Sequence, residues 1–354
     1  MESRYREAYA GWQQDPEGFW LEQSGTLDWF DAPTTAFDGT AGIYGRWFPD
    51  ATCNTCHNAL DRHVAAGRGD QAALVYDSPV TGTQRRITYA ELLREVTALA
   101  ATLTDLGVGK GDRVIVYMPM IPETVAAMLA CARIGAIHSV VFGGFAAREL
   151  ATRIDDAQPK AMLTASCGIE PSRTVAYKPL LDLAIDYAAH KPVATLVLQR
   201  PQLHAEMIEG RDHDWATLRD KAFAEIDAGR SVPCAVLRAT DPLYVLYTSG
   251  TTGKPKGVVR DNGGHMVALH WSMEAVYGAK AGEVWWAASD VGWVVGHSYI
   301  VYGPLLKGCT AILFEGKPVG TPDAGTFRAR SAQRMVSVSA RSPARKSLRN
   351  AERS

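Results

Sequence analysis

Between Thr88 and Leu198 the hydrophobic pattern keeps switching between two periods, and few folds accept such a chain. Thr88-Tyr89-Ala90-Glu91 has the form of a capping box. Leu92, Val96, Leu99, Leu103 and Leu106 follow at helical spacing, and Gly107 is placed to end the helix. Arg113-Val114-Ile115-Val116-Tyr117 then reads as a strand, 122–133 as a helix stopped by Gly135, 136–142 as a strand, 146–157 as a helix and 162–164 as a short strand. A helix over 179–189 and a strand over 195–198 continue the series. Strands alternating with helices of this length predict an α/β fold, doubly wound, with mostly parallel sheets and helices on both faces. The strands are apolar almost throughout, as strands covered on both faces are. A length of 354 residues suggests about two domains.

A further apolar run, Leu243 to Tyr247, leads into Thr248-Ser249-Gly250-Thr251-Thr252-Gly253-Lys254-Pro255-Lys256-Gly257-Val258. This composition suits a loop that grips phosphate. Glycines let backbone N–H groups approach oxyanions closely. The hydroxyls of Thr248, Ser249, Thr251 and Thr252 can donate to phosphate oxygens, and Lys254 and Lys256 bring positive charge. It is not a P-loop, because Gly250 and Gly253 stand too close together and Pro255 follows the lysine. Taken alone, the same string also reads as a polar surface turn. Downstream, 260–265 should cap a helix running to about Tyr277, and 283–287 should form a strand. Ser289 to Tyr299 reads as a glycine-broken turn opening a helix over 300–306, with Gly308 to end it and a last strand at 310–314. Residues 200–240 read as a polar connecting region without chemistry.

Residues 1–60 are aromatic and without a period, a segment expected to wrap its rings onto a larger body. It contains Cys53-Asn54-Thr55-Cys56-His57, the spacing of a c-type haem attachment site. A zinc site would need a second pair of ligands, with only His63 near. The plainer reading is two cysteines flanking the start of a helix. Cys131 and Cys309 sit in apolar stretches as small core residues, and no metal site is assigned. No signal peptide is recognisable and no apolar run could span a bilayer, so the cytoplasm is the expected compartment and no membrane partner is expected. The net charge of −1 gives no reason to expect nucleic acid.

Several stretches resemble one family closely. The loop from Tyr247 to Val258 is similar to the ATP-phosphate loop of adenylate-forming enzymes. Met118-Pro119-Met120-Ile121-Pro122-Glu123, the run from Cys131 to Phe145, and Arg153-Ile154-Asp155-Asp156-Ala157-Gln158-Pro159-Lys160 resemble its acetyl- and propionyl-CoA synthetase branch, closest to the propionate type. The resemblance implies an acyl-adenylate made from a short-chain carboxylate and ATP with release of pyrophosphate, then transfer to CoA, with Mg²⁺ assisting. It implies that Thr248, Ser249, Gly250, Thr251, Thr252 and Gly253 hold ATP phosphates and that Lys254, Lys256 and His297 are catalytic. It places the acyl pocket at Asp290, Trp293, Val294 and Val295, where Val295 replaces a threonine common in acetate-type enzymes. It places a CoA contact at Gly168 and Arg173, although Glu170 stands where an arginine is usual.

The resemblance runs to about Phe327, giving an N-terminal segment at 1–60, an incomplete AMP-binding domain at 61–327 and a tail at 328–354. The tail holds eight basic residues and one acid, so it carries +7 and the rest of the chain −8. Poor in apolar residues, it is expected to be disordered and out of frame. The aromatic-Gln-Thr-Glu segment that helps bind Mg²⁺ in the family is not found in the sequence. A ligase incomplete as written is therefore expected, with a non-catalytic nucleotide- or CoA-binding fragment as the alternative.

Overall fold

The computed structural model describes residues 5–143, 145–248 and 256–316. The first 60 residues are more regular than expected. They open with helices α1 (Tyr5–Gln14) and α2 (Pro16–Ser24). Asp15 caps α2 by accepting from Gly18 N at 2.9 Å, and Pro16 takes the first helical position. No residue of α1 is buried, although Tyr5, Tyr9 and Trp12 recur at helical spacing and stack along one face at 5.6 and 5.8 Å. The rings behave as expected: Trp20 lies 5.9 Å from Trp47 and 5.5 Å from Trp271, and Phe19 lies 6.1 Å from Trp271.

From Ala72 the chain forms a hairpin of β1 (Ala72–Ser78) and β2 (Thr83–Thr88), then α3 (Tyr89–Asp105). The capping box at Thr88 is complete: Glu91 N donates to Thr88 Oγ1 at 3.1 Å, and Thr88 N donates to Glu91 Oε2 at 2.7 Å. There follow β3 (Arg113–Tyr117), α4 (Pro122–Ile134), β4 (Ile137–Val140), α5 (Ala147–Ala157), β5 (Ala161–Ala165), α6 (Tyr177–Tyr187), β6 (Ala194–Leu198), β7 (Asp212–Asp214) and α7 (Trp215–Asp227). The rest comprises β8 (Pro242–Thr248), β9 (Lys256–Asp261), α8 (Gly263–Ala275), β10 (Val284–Trp285), a helical stretch from Val294 to Lys307, and β11 (Thr310–Phe314).

The larger sheet has the order β7-β6-β5-β3-β4-β8-β9 and is parallel except for the last pair. Alternate residues of its central strand feed two separate cores, as the two-residue period of a strand requires. Val114 and Val116 join Leu92 and Leu99 of α3 and Val125 and Leu129 of α4. Ile115 and Tyr117 join Leu150 and Ile154 of α5 and Leu181 and Ile185 of α6. This is the doubly wound α/β arrangement, with helices on both faces. A second sheet, ordered β10-β11-β1-β2, closes the hairpin onto β11.

Four expectations need correction. Strand β9 was not foreseen, because its Val258 and Val259 are exposed on an edge and give no burial pattern. Residues 200–240 contain α7, which buries Trp215. Helix α6 starts at Tyr177, two residues before the Pro179 taken as its start. The helix expected from 300 already begins at Val294, so part of the supposed turn is helical. The carboxylate capping α8 is Asp261, whose Oδ1 accepts from His265 N at 3.1 Å.

The two sheets are joined by a buried charge cluster. Glu315, just after β11, receives Arg200 Nη1 and Nη2 at 2.8 and 3.0 Å, Ser78 Oγ at 2.8 Å and the Tyr76 hydroxyl.

Candidate active site

Strands β3, β4 and β8 are parallel neighbours and so end on one edge of the large sheet, where open α/β sheets take their ligands. The hydroxyl-rich loop leaves from that edge. Ser249 to Pro255, which include Lys254, Gly250, Thr251, Thr252 and Gly253, lie outside the described residues. The two residues that bracket them are described. Thr248 and Lys256 face each other at the end of the β8–β9 ladder, both exposed, with Thr248 Oγ1 3.4 Å from the Lys256 carbonyl. Thr248 and Lys256 therefore end the described part of an antiparallel hairpin and set a hydroxyl and an ammonium at the sheet edge.

The root of that hairpin is held by residues that the sequence reading quoted without a role. The Tyr247 hydroxyl donates to Asp156 Oδ2 at 2.5 Å. The buried Arg153 guanidinium lies 4.3 Å from the Phe145 ring centre and 5.7 Å from that of Tyr247. Arg153 also donates to the Glu149 carbonyl at 2.6 Å. A guanidinium locked in this way fixes where β8 ends.

Beside the edge runs the segment from Asp290 to His297. Burial raises the Asp290 carboxyl above its ordinary value, although Gly292 N donates to Oδ1 at 2.7 Å. Trp293, Val294 and Val295 are each about half exposed, at 50, 47 and 47%. The Trp293 ring stands 5.9 Å from Phe142, in the loop after β4. Phe142 and Trp293 form an aromatic wall at the strand ends, and the sequence reading did not single out Phe142.

His297 is fully buried beneath this segment. Its Nδ1 donates to the Trp293 carbonyl at 3.1 Å, which leaves Nε2 as the acceptor, without a partner among the described residues. Its ring lies 4.7 Å from Tyr244 and 5.6 Å from His138, and His138 Nε2 meets the Tyr302 hydroxyl at 2.5 Å. Burial pulls the His297 pKa down to about 4, so at neutral pH it is an uncharged ring under the site.

The same desolvation acts on four other buried histidines. His63 and His270 are lowered to about 4, His265 to about 3, and His138 is also lowered well below 6.5. In the unfolded chain these groups bind protons near their ordinary value of 6.5. Stability is thus full above that value and drains as pH falls from there toward about 4, by up to about 1.4 kcal/mol per pH unit per histidine. Urea midpoints followed from neutrality to about pH 5 should fall steeply. A flat profile would show that these rings are not held neutral.

The proposed CoA positions sit apart from one another in character. Gly168 is buried, and a Cβ there would come 2.4 Å from the Tyr177 ring, so its lack of a side chain already serves packing. Arg173 is exposed and paired with Glu170 at 2.9 Å. Among the described residues the one cluster of possible metal ligands is Cys56, Asp61 and Cys234, whose sulfurs do not suit a cation that prefers oxygen. No helix among the described residues is long and apolar enough to cross a membrane.

Comparison with known proteins fits this geometry. Residues 61–339 match the AMP-binding enzyme family, and residues 5–59 match the acetyl-coenzyme A synthetase N-terminus. An uncharacterized protein of Pseudomonas aeruginosa is 55% identical over 323 residues, 91% of this chain and 50% of its own length. The human mitochondrial acyl-CoA synthetase short-chain family member 3 is 51% identical over 326 residues, 92% of this chain and 46% of its own. Propionate–CoA ligase of Salmonella typhimurium is 48% identical over 323 residues, 91% and 50%. The chain spans about half the length of the curated relatives it matches.

Proposed function

This chain belongs to the AMP-binding enzyme family, and on that premise we propose that its sheet edge is the adenylation site of a short-chain acyl-CoA synthetase that takes propionate in preference to acetate. The observation that carries the proposal is that Thr248 and Lys256, which bracket the Thr-Ser-Gly-Thr-Thr-Gly-Lys-Pro-Lys string in the sequence, lie at the carboxyl end of β8, beside the parallel β4. In the proposed step a carboxylate oxygen attacks the α-phosphorus of ATP and pyrophosphate leaves, and the acyl group then passes to CoA. Such a reaction needs little from the protein beyond alignment and charge stabilisation. Thr248, Ser249, Thr251 and Thr252 would donate to the β- and γ-phosphates, and Lys254 and Lys256 would offset their charge. Mg²⁺ accompanying the nucleotide would share that neutralisation. Asp290 and the Phe142–Trp293 wall would orient the acid, above the neutral ring of His297.

The test is ATP–pyrophosphate exchange on the purified chain with propionate, with acetate and with no acid. Acid-dependent exchange, greater with propionate, is the result that supports the reading, and it would show that the adenylation half-reaction survives in an incomplete ligase. No exchange from a folded sample would mean that the segments expected to be missing carry indispensable groups. The acid preference is assigned to the apolar side chain of Val295. Val295→Thr should move the propionate-to-acetate ratio toward acetate by roughly tenfold, the scale of one methylene in a pocket. An unchanged ratio would remove Val295 from the specificity determinants.

A further inference from the structure

Cys56 and Cys234 lie far apart in sequence and meet at the seam between the N-terminal segment and the connection that leads to β8. The seam is a short antiparallel ladder pairing Leu237 with Cys53 and Arg238 with Thr52. Asn54 Nδ2 extends it by donating to the Ala235 carbonyl at 2.9 Å. Three residues beyond the Cys53–Leu237 pair, the same register sets Cys56 across from Cys234. Both sulfurs fall within 4.8 Å of each other and of an Asp61 oxygen.

Arg133 sits on the pair. Its Nη1 donates to both Asp61 oxygens at 3.0 Å, to Cys234 Sγ at 3.1 Å and to Cys56 Sγ at 3.8 Å. A guanidinium in that position occupies the place a metal ion would need. It also stabilises a thiolate. The Cys56 sulfur and burial push the Cys234 thiol up, and Cys234 Sγ donates to Asp61 Oδ2 at 3.7 Å, which gives its proton a base to go to. A divalent cation would want two thiolates, which this burial opposes. Cys56 is fully buried, whereas Cys234 is only partly covered and follows the exposed Pro233. A small oxidant therefore reaches Cys234 first.

We infer that Cys56 and Cys234 are a redox modification site, closed to a disulfide by hydroperoxides. Asp61 takes the Cys234 proton as the sulfur attacks one oxygen of the peroxide. An S–O bond forms, the O–O bond breaks, and the departing hydroxide takes that proton to become water. The Cys56 sulfur then attacks the sulfenic sulfur. The S–S bond forms, the S–O bond breaks, and the leaving hydroxide takes the Cys56 proton as a second water. Two electrons pass from the two sulfurs to the peroxide. The C-x-x-C-H spacing of Cys53, Cys56 and His57 is incidental on this reading, since the partner of Cys56 is across the ladder.

The experiment treats the reduced full chain with hydrogen peroxide, blocks remaining thiols with an alkylating agent and maps peptides without reduction. A peptide linking Cys56 to Cys234 is expected, with two fewer free thiols than the six in the sequence, reversed by dithiothreitol. The linked form should melt about 5 °C higher, because the bridge closes a long loop. Cys56→Ser should leave a sulfenic acid on Cys234 that dimedone traps. Should Cys56→Ser fail to fold, the partly exposed Cys234→Ser serves, and it should abolish the link. The inference is overturned if a folded chain forms no such link, if Cys53 is the partner, or if Cys234 runs on to sulfinic acid. It is equally overturned if Zn²⁺ alone protects both thiols from alkylation.

Discussion

Replacing Glu315 with glutamine will lower the free energy of unfolding by about 3–5 kcal/mol, the usual cost of leaving one member of a buried ion pair behind. Arg200 is 7% exposed and Glu315 4%. Both guanidinium nitrogens and two hydroxyls converge on this carboxylate. Glutamine keeps the shape but brings two N–H donors to a place where every neighbour already donates. Burial and the adjacent Glu315 charge hold the Tyr76 hydroxyl well above its ordinary pKa, so it stays protonated and cannot take over as an acceptor anion. Urea unfolding followed by tryptophan fluorescence measures the effect. The control is Arg173→Gln, which breaks an exposed pair and should cost under about 1 kcal/mol. If the two variants behave alike, Glu315 is not the joint between the sheets. Changing Arg200 and Glu315 together to apolar residues should recover much of the loss, because no buried charge is then left alone.

The second large effect is expected at Gly296. An alanine Cβ there would stand 1.9 Å from the Asp290 carbonyl oxygen and 2.4 Å from its carbon. The backbone angle is ordinary, with φ at −65°, so the conflict is purely one of space. Both parties are main chain, so no side chain can swing aside. Gly296→Ala should cost about 3 kcal/mol or more, as overpacking in a tight site does, and should displace Asp290. Acid-dependent pyrophosphate exchange should disappear along with it. Gly11, with nothing within 4 Å, is the matched control. There alanine favours the helix and should be neutral or slightly stabilising. A Gly296→Ala protein as stable and active as the parent would show that the turn has room to spare.

What could be read from the sequence was whatever repeats along it. Val114 to Tyr117, Pro122 to Gly135 and the capping box at Thr88 announce themselves locally, because strand alternation, helix spacing and caps act within a few residues. Strand β9 did not, since an exposed edge strand starting Lys256-Gly257 has neither a buried face nor a period of its own. The Glu315–Arg200 joint pairs residues 115 positions apart, and the Cys56–Arg133–Cys234 seam joins three distant stretches. No local pattern marks such meetings. Around the site, the loop was legible because its chemistry is contiguous. Phe142, Arg153 and Asp156 were quoted in motifs, yet their work depends on which strand end they reach.

Strand β1 lies between β2, which follows it directly, and β11, which the ribosome delivers far later: Ala72 accepts from Thr310, 238 residues on. At roughly 5–20 residues per second that interval is about 10–50 s of synthesis. Throughout it the nascent hairpin presents one unpaired flank of Ala-Ala-Leu-Val-Tyr to its surroundings. The β2 flank carries Arg85 and Arg86, exposed charges of the kind that discourage strand addition. The β11 flank is covered when its own partner arrives. Translation speed and chaperone supply, more than the stability of the finished molecule, will therefore set how much of this chain reaches its native sheet.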